Sequence, residues 1–230
     1  MKRIAIIPAR GGSKRIARKN VRPFAGKPAL THILAAAEAS GRFDVIHVST
    51  DDPDIAAIAG AAGHPPEFLR PADIADDFAP VRAVASWTLR EYERRGHTFE
   101  TAALLYATAF FVEPQDISAA IADFETHRTH PVLAVAEVGS PIEKLFVEKD
   151  GYLQTADEAR FGARTQDLTP AYRDAGAFAV FAAPSLLAET DGSAPLHFRP
   201  FLLDRMKAID IDTEDDWAFA ERLHAARKTT

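Results

Sequence analysis

The chain has no cysteine among its 230 residues. That excludes a disulfide framework, a thiolate metal site and a cysteine nucleophile, and nothing points to an oxidising compartment. Long apolar runs are missing too. After the basic pair Lys2-Arg3 only a short apolar stretch precedes Arg10, so neither a signal peptide nor a membrane span is expected, and the reading is a cytoplasmic protein without a membrane partner. The eight histidines are scattered and show no H-E-x-x-H or comparable zinc spacing. Neither a G-x-G-x-x-G fingerprint nor a P-loop is present, and the "GGSK" around Ser13 is not a nucleophile elbow, which argues against covalent serine catalysis. Acidic residues are absent from the first 37 positions, which hold nine Lys/Arg; the remainder carries 18 Lys/Arg against 33 Asp/Glu. The formal net charge of -6 therefore describes an acidic globule with one basic corner. A general nucleic-acid binder is expected to be basic over a whole face, so the corner fits a smaller anion and no nucleic-acid partner is expected.

What is present reads as a single α/β domain over residues 1–230. Arg3 to Pro8 is a short apolar run bounded by Pro and Gly, as expected of a buried strand, and residues 28–40 have the pattern of a helix. A second strand, "FDVIHVST", leads to a helix capped by Asp51 or Asp52 with Pro53 at its first position. A short strand is expected around "EFLRP", a helix from Val81 to Tyr92, and a buried strand at "TAALLYAT". Alternation of β and α predicts a doubly wound, mostly parallel sheet. In the second half "HPVLAVAEV" and "EKLFVEKDGYLQ" read as strands, the latter turning at Asp150-Gly151, and "GAFAVF" as another. The polar stretch between them predicts an excursion over about 140–175 that serves as a lid, a dimerisation arm or both. A last strand is expected at "KAIDID", followed by a helix started by Thr213 with Asp216 three residues on. Trp87 and Trp217, at helical positions, read as core or interface residues.

Two constellations carry chemistry. "IPARGGSKRIARKN" places five Arg/Lys and two glycines between the first strand and the first helix, where ligands of open α/β sheets bind. Backbone N–H groups of such a loop approach phosphate oxygens while the cations neutralise them; a solvated basic turn is the plain alternative. Asp210 and Asp212, two apart, would project to one face of a strand about 7 Å apart and could share Mg²⁺, which takes one or two carboxylates plus substrate phosphates. Capping of the last helix is the competing use for Asp212, but not for Asp210.

Taken with "VSTDD", "LRP" and "DIDTEDDW", the basic motif resembles the cytidylyltransferases that activate nonulosonic acids, the CMP-sialic acid synthetases and their relatives, in order and over nearly the whole chain. "ARTQDLTPAYRDAGAF" and "YATA" are similar to the pseudaminic acid cytidylyltransferases in particular. The resemblance implies a Rossmann-like nucleotide-diphospho-sugar transferase fold, a homodimer formed through an arm, and the Mg²⁺-dependent reaction of CTP with a sugar acid to give a CMP-sugar and pyrophosphate. It implies that Ala9, Arg10, Gly11, Gly12, Ser13, Lys14 and Asn20 hold the nucleotide, with Arg70 near base and ribose. Lys19, Asp210 and Asp212 would be catalytic, the two aspartates binding the metal. Arg164, Gln166, Asp167, Tyr172 and Asp174 become candidates for the sugar. Pro80 and Val81 stand where relatives have small hydroxyl residues, Phe110 where proline is common and Arg173 where histidine is usual. Legionaminic acid, N-acetylneuraminic acid or 3-deoxy-manno-octulosonic acid are alternative substrates, and a non-catalytic nucleotide-sugar-binding subunit is the reading of another class.

Overall fold

The computed structural model describes residues 1–13, 15–71, 74, 80–188 and 196–227. The chain opens with β1 (Arg3–Pro8), a two-residue hairpin of β2 (Pro23–Phe24) and β3 (Lys27–Pro28), and α1 (Leu30–Ala39). Next come β4 (Val45–Ser49), α2 (Pro53–Ala61), α3 (Val81–Arg94), β5 (Thr101–Leu105) and α4 (Pro114–His127). The second half holds β6 (Val132–Glu137), the hairpin β7 (Phe146–Lys149) and β8 (Tyr152–Thr155), β9 (Tyr172–Ala182), α5 (Ala183–Ala188), β10 (Arg199–Leu202) and α6 (Glu214–Arg227).

Six strands form one sheet in the order β10-β6-β9-β5-β1-β4. β1 runs parallel to β4 and β5, β10 runs parallel to β6, and β9 is antiparallel to both its neighbours. β1 reads as a continuous apolar run because helices cover both of its faces. Ala5 and Ile7 pack with Leu30, Ile55 and Ile117 of α1, α2 and α4, whereas Ile4 and Ile6 pack with Leu89 and Leu186 of α3 and α5. The Asp52 carboxylate accepts from the backbone N–H of Asp54 and Ile55 at the start of α2, with Pro53 at its first position. Thr213 and Asp216 exchange side-chain and backbone hydrogen bonds at the start of α6.

Two expected strands are absent. Residues 67–71 make no ladder; Arg70 N donates to Thr50 O at 2.8 Å, and the flanking Pro65, Pro66 and Pro71 restrict pairing of this stretch. "KAIDID" is no strand either. The pairing occurs earlier, at β10, whose Pro200 is tolerated because β10 is a sheet edge. Leu203 N still reaches Val135 O, after which the chain turns, with Lys207 N and Ala208 N donating to Asp204 O.

Because β9 is reversed, its first residues lie at the same edge as the last residues of the parallel strands, Tyr172 opposite Glu137. Val138 N donates to Ala171 O at 2.8 Å, so the excursion between β6 and β9 leaves and returns through one neck. Its β7–β8 hairpin turns at Asp150 (φ +54°) and Gly151 (φ +82°), the positive pair that a tight hairpin requires. Phe146, Val147, Tyr152 and Leu153 on that hairpin are all exposed. Among the described residues, no helix is long and apolar enough to cross a membrane.

One buried group gives the fold a pH signature. His47 on β4 is buried against Phe68, with Nδ1 3.1 Å from the Tyr92 hydroxyl. Burial, assisted by the charge of Arg95, lowers its pKa from 6.5 to about 3. Below 6.5 the unfolded chain takes up a proton that the folded chain refuses until about pH 3. Through this window, the folding constant should therefore fall by up to about tenfold per pH unit on this account. Urea titrations from pH 7 to pH 4 should show a pH slope about one proton smaller in His47→Phe than in the wild type; equal slopes would contradict the assignment.

Candidate functional site

The carboxyl edge of the sheet surrounds a cavity of about 420 Å³. The loop after β1 supplies Arg10, Ser13, Lys19 and Asn20 to its wall, and Arg70 faces it beyond β4. On the other side stand Asp174 and Gly176 at the start of β9, with Asp210 and Asp212 before α6. The lining thus brings cationic and acidic side chains together.

The loop after β1 is held from several directions. Ala9 N donates to Ser49 O, extending the β1–β4 ladder, and the Asn20 side-chain amide donates to Arg10 O at 3.0 Å. Arg18 takes a left-handed conformation (φ +51°), and its carbonyl accepts from Val21 and Arg22. Ile16 plugs the loop into a cluster with Phe24, Phe111, Ile211 and Trp217. Gly11 lies against Asp52, where any Cβ would collide with that carboxylate. Ile16 and Ile211 therefore tie the basic loop to the acidic segment within one apolar cluster, fixing both walls of the cavity.

At the rim of the cavity Lys19 Nζ donates directly to Ile211 O at 2.5 Å and lies 3.5 Å from Asp212 Oδ1. Arg15 reaches the same Asp212 oxygen at 2.9 Å. The cap of α6 is made by Thr213 and Asp216, so the Asp212 carboxylate is not needed for it and faces these cations at the cavity. The Asp210 carboxyl is pushed above its ordinary range by desolvation at the cavity wall and by Asp212 and Asp174, against the opposing charges of Lys19 and Arg173. Its negative charge is not fully compensated by the protein. Among the described residues no group of three or more His, Asp or Glu side chains could hold a metal alone. Two hard carboxylates, one of them undercompensated, fit Mg²⁺ when phosphate oxygens complete its sphere.

Arg70 is buried, with Nη2 3.7 Å from Asp51 Oδ1 and, among the described residues, no hydrogen-bond partner for Nε. Burial pushes its pKa down, while Asp51 opposes that shift. Tyr106, which sequence reasoning did not assign to the site, lines the cavity. Its phenol is pushed up to about 12 by burial and by Asp174 and Asp210, so near neutral pH it is a proton-bearing donor. Thr108 and Arg15 also join the wall, as does Gly176. The "DAG" turn was the only signal that could have pointed to Gly176.

The expected nucleotide and sugar residues divide. Ala9 is fully buried and acts through the sheet, and Gly12 is exposed with open space around it. Lys14 lies outside the described residues. Asp174 faces the cavity, with Oδ1 accepting from Gly176 N at 2.8 Å. Arg164, Gln166, Asp167 and Tyr172 are exposed and do not line the cavity of the single chain; Arg164 pairs with Asp167 at 2.8 Å on the excursion, and the neck carries that segment away from the sheet edge.

A cationic loop and a carboxylate pair lining one cavity at the carboxyl edge of a Rossmann-like sheet have the character of a nucleotidyltransferase type of site. The solved CMP:2-keto-3-deoxy-manno-octonic acid synthetase complexed with CTP shares the fold, with a TM-score of 0.73, 15% identity, and coverage of 99% of this chain and 100% of that one. A solved 4-diphosphocytidyl-2C-methyl-D-erythritol synthase follows at TM-score 0.67 and 16% identity, covering 96% and 97%. The Cytidylyltransferase family model matches residues 4–186, and the chain belongs to that family. The pseudaminic acid cytidylyltransferase of Campylobacter jejuni serotype O:2 is 35% identical over 97% of both chains. The CMP-N,N'-diacetyllegionaminic acid synthase of Legionella pneumophila is 31% identical over 97% of this chain and 96% of its own.

Proposed function

We propose that the chain, acting as one cytidylyltransferase domain, makes a CMP-activated nonulosonic acid, CMP-pseudaminic acid, from CTP and the free sugar. The observation that carries this reading is the convergence of Arg10, Lys19 and Arg70 with Asp210 and Asp212 on one cavity. The anomeric hydroxyl oxygen bonds to the α-phosphorus in line, the bond from that phosphorus to the bridging oxygen breaks, pyrophosphate leaves and the hydroxyl proton passes to solvent. Little covalent work falls to the protein, so positioning and charge neutralisation dominate.

Arg10, Ser13 and Asn20 hold the triphosphate end, with Lys14 assigned to it by resemblance; Arg70 supplies its Nε–H towards the base and ribose. Lys19 follows charge developing at the α-phosphate. Asp210 and Asp212 would hold Mg²⁺, which would supply Lewis-acid neutralisation of phosphate oxygens. Tyr106 offers a phenolic donor to the sugar acid beside Asp174. Arg164, Gln166, Asp167 and Tyr172 would contact sugar only from a second copy, and the exposed apolar residues of the β7–β8 hairpin suit a homodimer built through that arm. A reaction that consumes CTP belongs in the cytoplasm.

The test is pyrophosphate release by purified protein with CTP and Mg²⁺, comparing pseudaminic, legionaminic, N-acetylneuraminic and 3-deoxy-manno-octulosonic acids. Turnover confined to pseudaminic acid supports the reading. Turnover with another sugar reassigns the substrate, and CTP binding without turnover on any of them moves the chain to the non-catalytic class.

A further inference from the structure

The acidic segment before α6 has no ladder to hold it. After Leu203 the backbone leaves the sheet, and Asp210 sits in an irregular stretch whose carboxylate must nevertheless be steady enough to meet a metal. Its supports come from neighbouring elements. Lys207 Nζ binds Glu113 and Asp116 at the start of α4, at 2.7 and 2.9 Å. Beyond Asp210, Ile211 is buried and its carbonyl accepts from Lys19. Between these two anchors Ile209 packs against the Phe24–Trp217 cluster, and Arg173 Nη2 donates to Ala208 O at 2.5 Å, while its Nη1 donates to Asp174 O at 3.1 Å.

We propose that Arg173, by bridging the Ala208 and Asp174 carbonyls, is the positioning residue that locks the Asp210 carboxylate into its place at the metal–nucleotide site. A guanidinium presents several donors in a rigid plane, so one side chain can pin two strands of backbone at once. A neutral imidazole, which offers one N–H, cannot hold both carbonyls. The same turn is fixed a second time, since Asp174 Oδ1 accepts from Gly176 N. Gly176 is the surface on which Asp210 rests: a Cβ there would lie 2.6 Å from Asp210 Oδ1. Residues 173–176 thus brace the loop at Ala208 and lie directly against the carboxylate. Arg173 is exposed, so its role is this bridge, not filling of the core.

The inference rests on the metal–nucleotide reading above, and its test separates the two. Mn²⁺ binding is read by water-proton relaxation at saturating CTP, without sugar, for the wild type, Arg173→Ala, Arg173→Lys and Asp210→Asn. Groups that orient metal ligands typically contribute about 10–100-fold in affinity, and Arg173→Ala should weaken Mn²⁺ by about tenfold, with Arg173→Lys recovering part of the loss. Its melting temperature and its CTP affinity in EDTA should match the wild type. Unchanged Mn²⁺ affinity with a raised sugar KM would make Arg173 a direct substrate contact and overturn the proposal. Equal losses of CTP affinity, Mn²⁺ affinity and melting temperature would make it a general structural support and overturn it as well. No Mn²⁺ bound by the wild type would remove the metal reading and this inference together; binding lost in Asp210→Asn but intact in Arg173→Ala would remove the inference alone.

Discussion

Asp210→Asn is expected to lower the turnover of pyrophosphate release by about 10²–10³-fold, the range found when one positioned electrostatic group is removed from a reacting centre. The substitution keeps shape and size, and Asp210 opens on to the cavity, so no core packing is lost. It also relieves repulsion from Asp212 and Asp174, and the melting temperature of the protein without nucleotide should therefore stay level or rise. This pairing of lost turnover with undiminished stability is the diagnostic result. A turnover within a few-fold of the wild type at saturating Mg²⁺ would mean that the carboxylate does not serve the chemistry.

Gly176→Ala should reproduce most of that loss without touching a charged group. The added methyl would sit 2.6 Å from Asp210 Oδ1 and 2.7 Å from its carboxyl carbon, so the carboxylate must move. Misplacing a reacting group by about 1 Å can cost about 10²-fold in rate, and a reduction of this order is expected in kcat. Alanine must also hold φ at +60°, a left-handed conformation that costs about 1–2 kcal/mol. For a chain of this size that lowers the melting temperature by only a few degrees. Stopped-flow or coupled assays of kcat alongside thermal melts check both arms. Near-normal kcat with the expected melting shift would show that the position of Asp210 is not critical.

The first half of the fold was legible because its signals are local. β1 has helices on both faces and so reads as an unbroken apolar run, and Asp52-Pro53 announces α2 by chemistry that acts within three residues. The Thr213–Asp216 pair does the same for α6. β10 was not legible, since Pro200 inside "RPFL" argues against a strand unless the strand is known to be an edge. α4 begins at a Glu113–Asp116 capping box, a less familiar start than Ser or Thr. The reversed direction of β9 is a property of pairing, and no residue pattern within the strand encodes it.

The candidate site shows the same division. The basic loop and Asp210/Asp212 stood out by charge and spacing, although the strand expected to carry the two aspartates is an irregular segment. Tyr106 and Gly176 matter through what lies across space from them, a carboxylate in both cases. Arg173 stood out in sequence only as a departure from a pattern; its bonds to two carbonyls give that departure a physical meaning. Arg164 and Asp167 looked like ligand chemistry, but in the single chain they pair with each other.

The neck at Val138 and Ala171 separates two kinds of change open to the chain. An excursion that starts and ends at one hydrogen bond can gain or lose residues at an entropic cost that grows only with the logarithm of its length. The sheet registers none of this, because β6 and β9 meet at the same place whatever lies beyond them. The excursion can therefore diverge in length and in surface, while the residues at its root, which aim Asp210, stay in register.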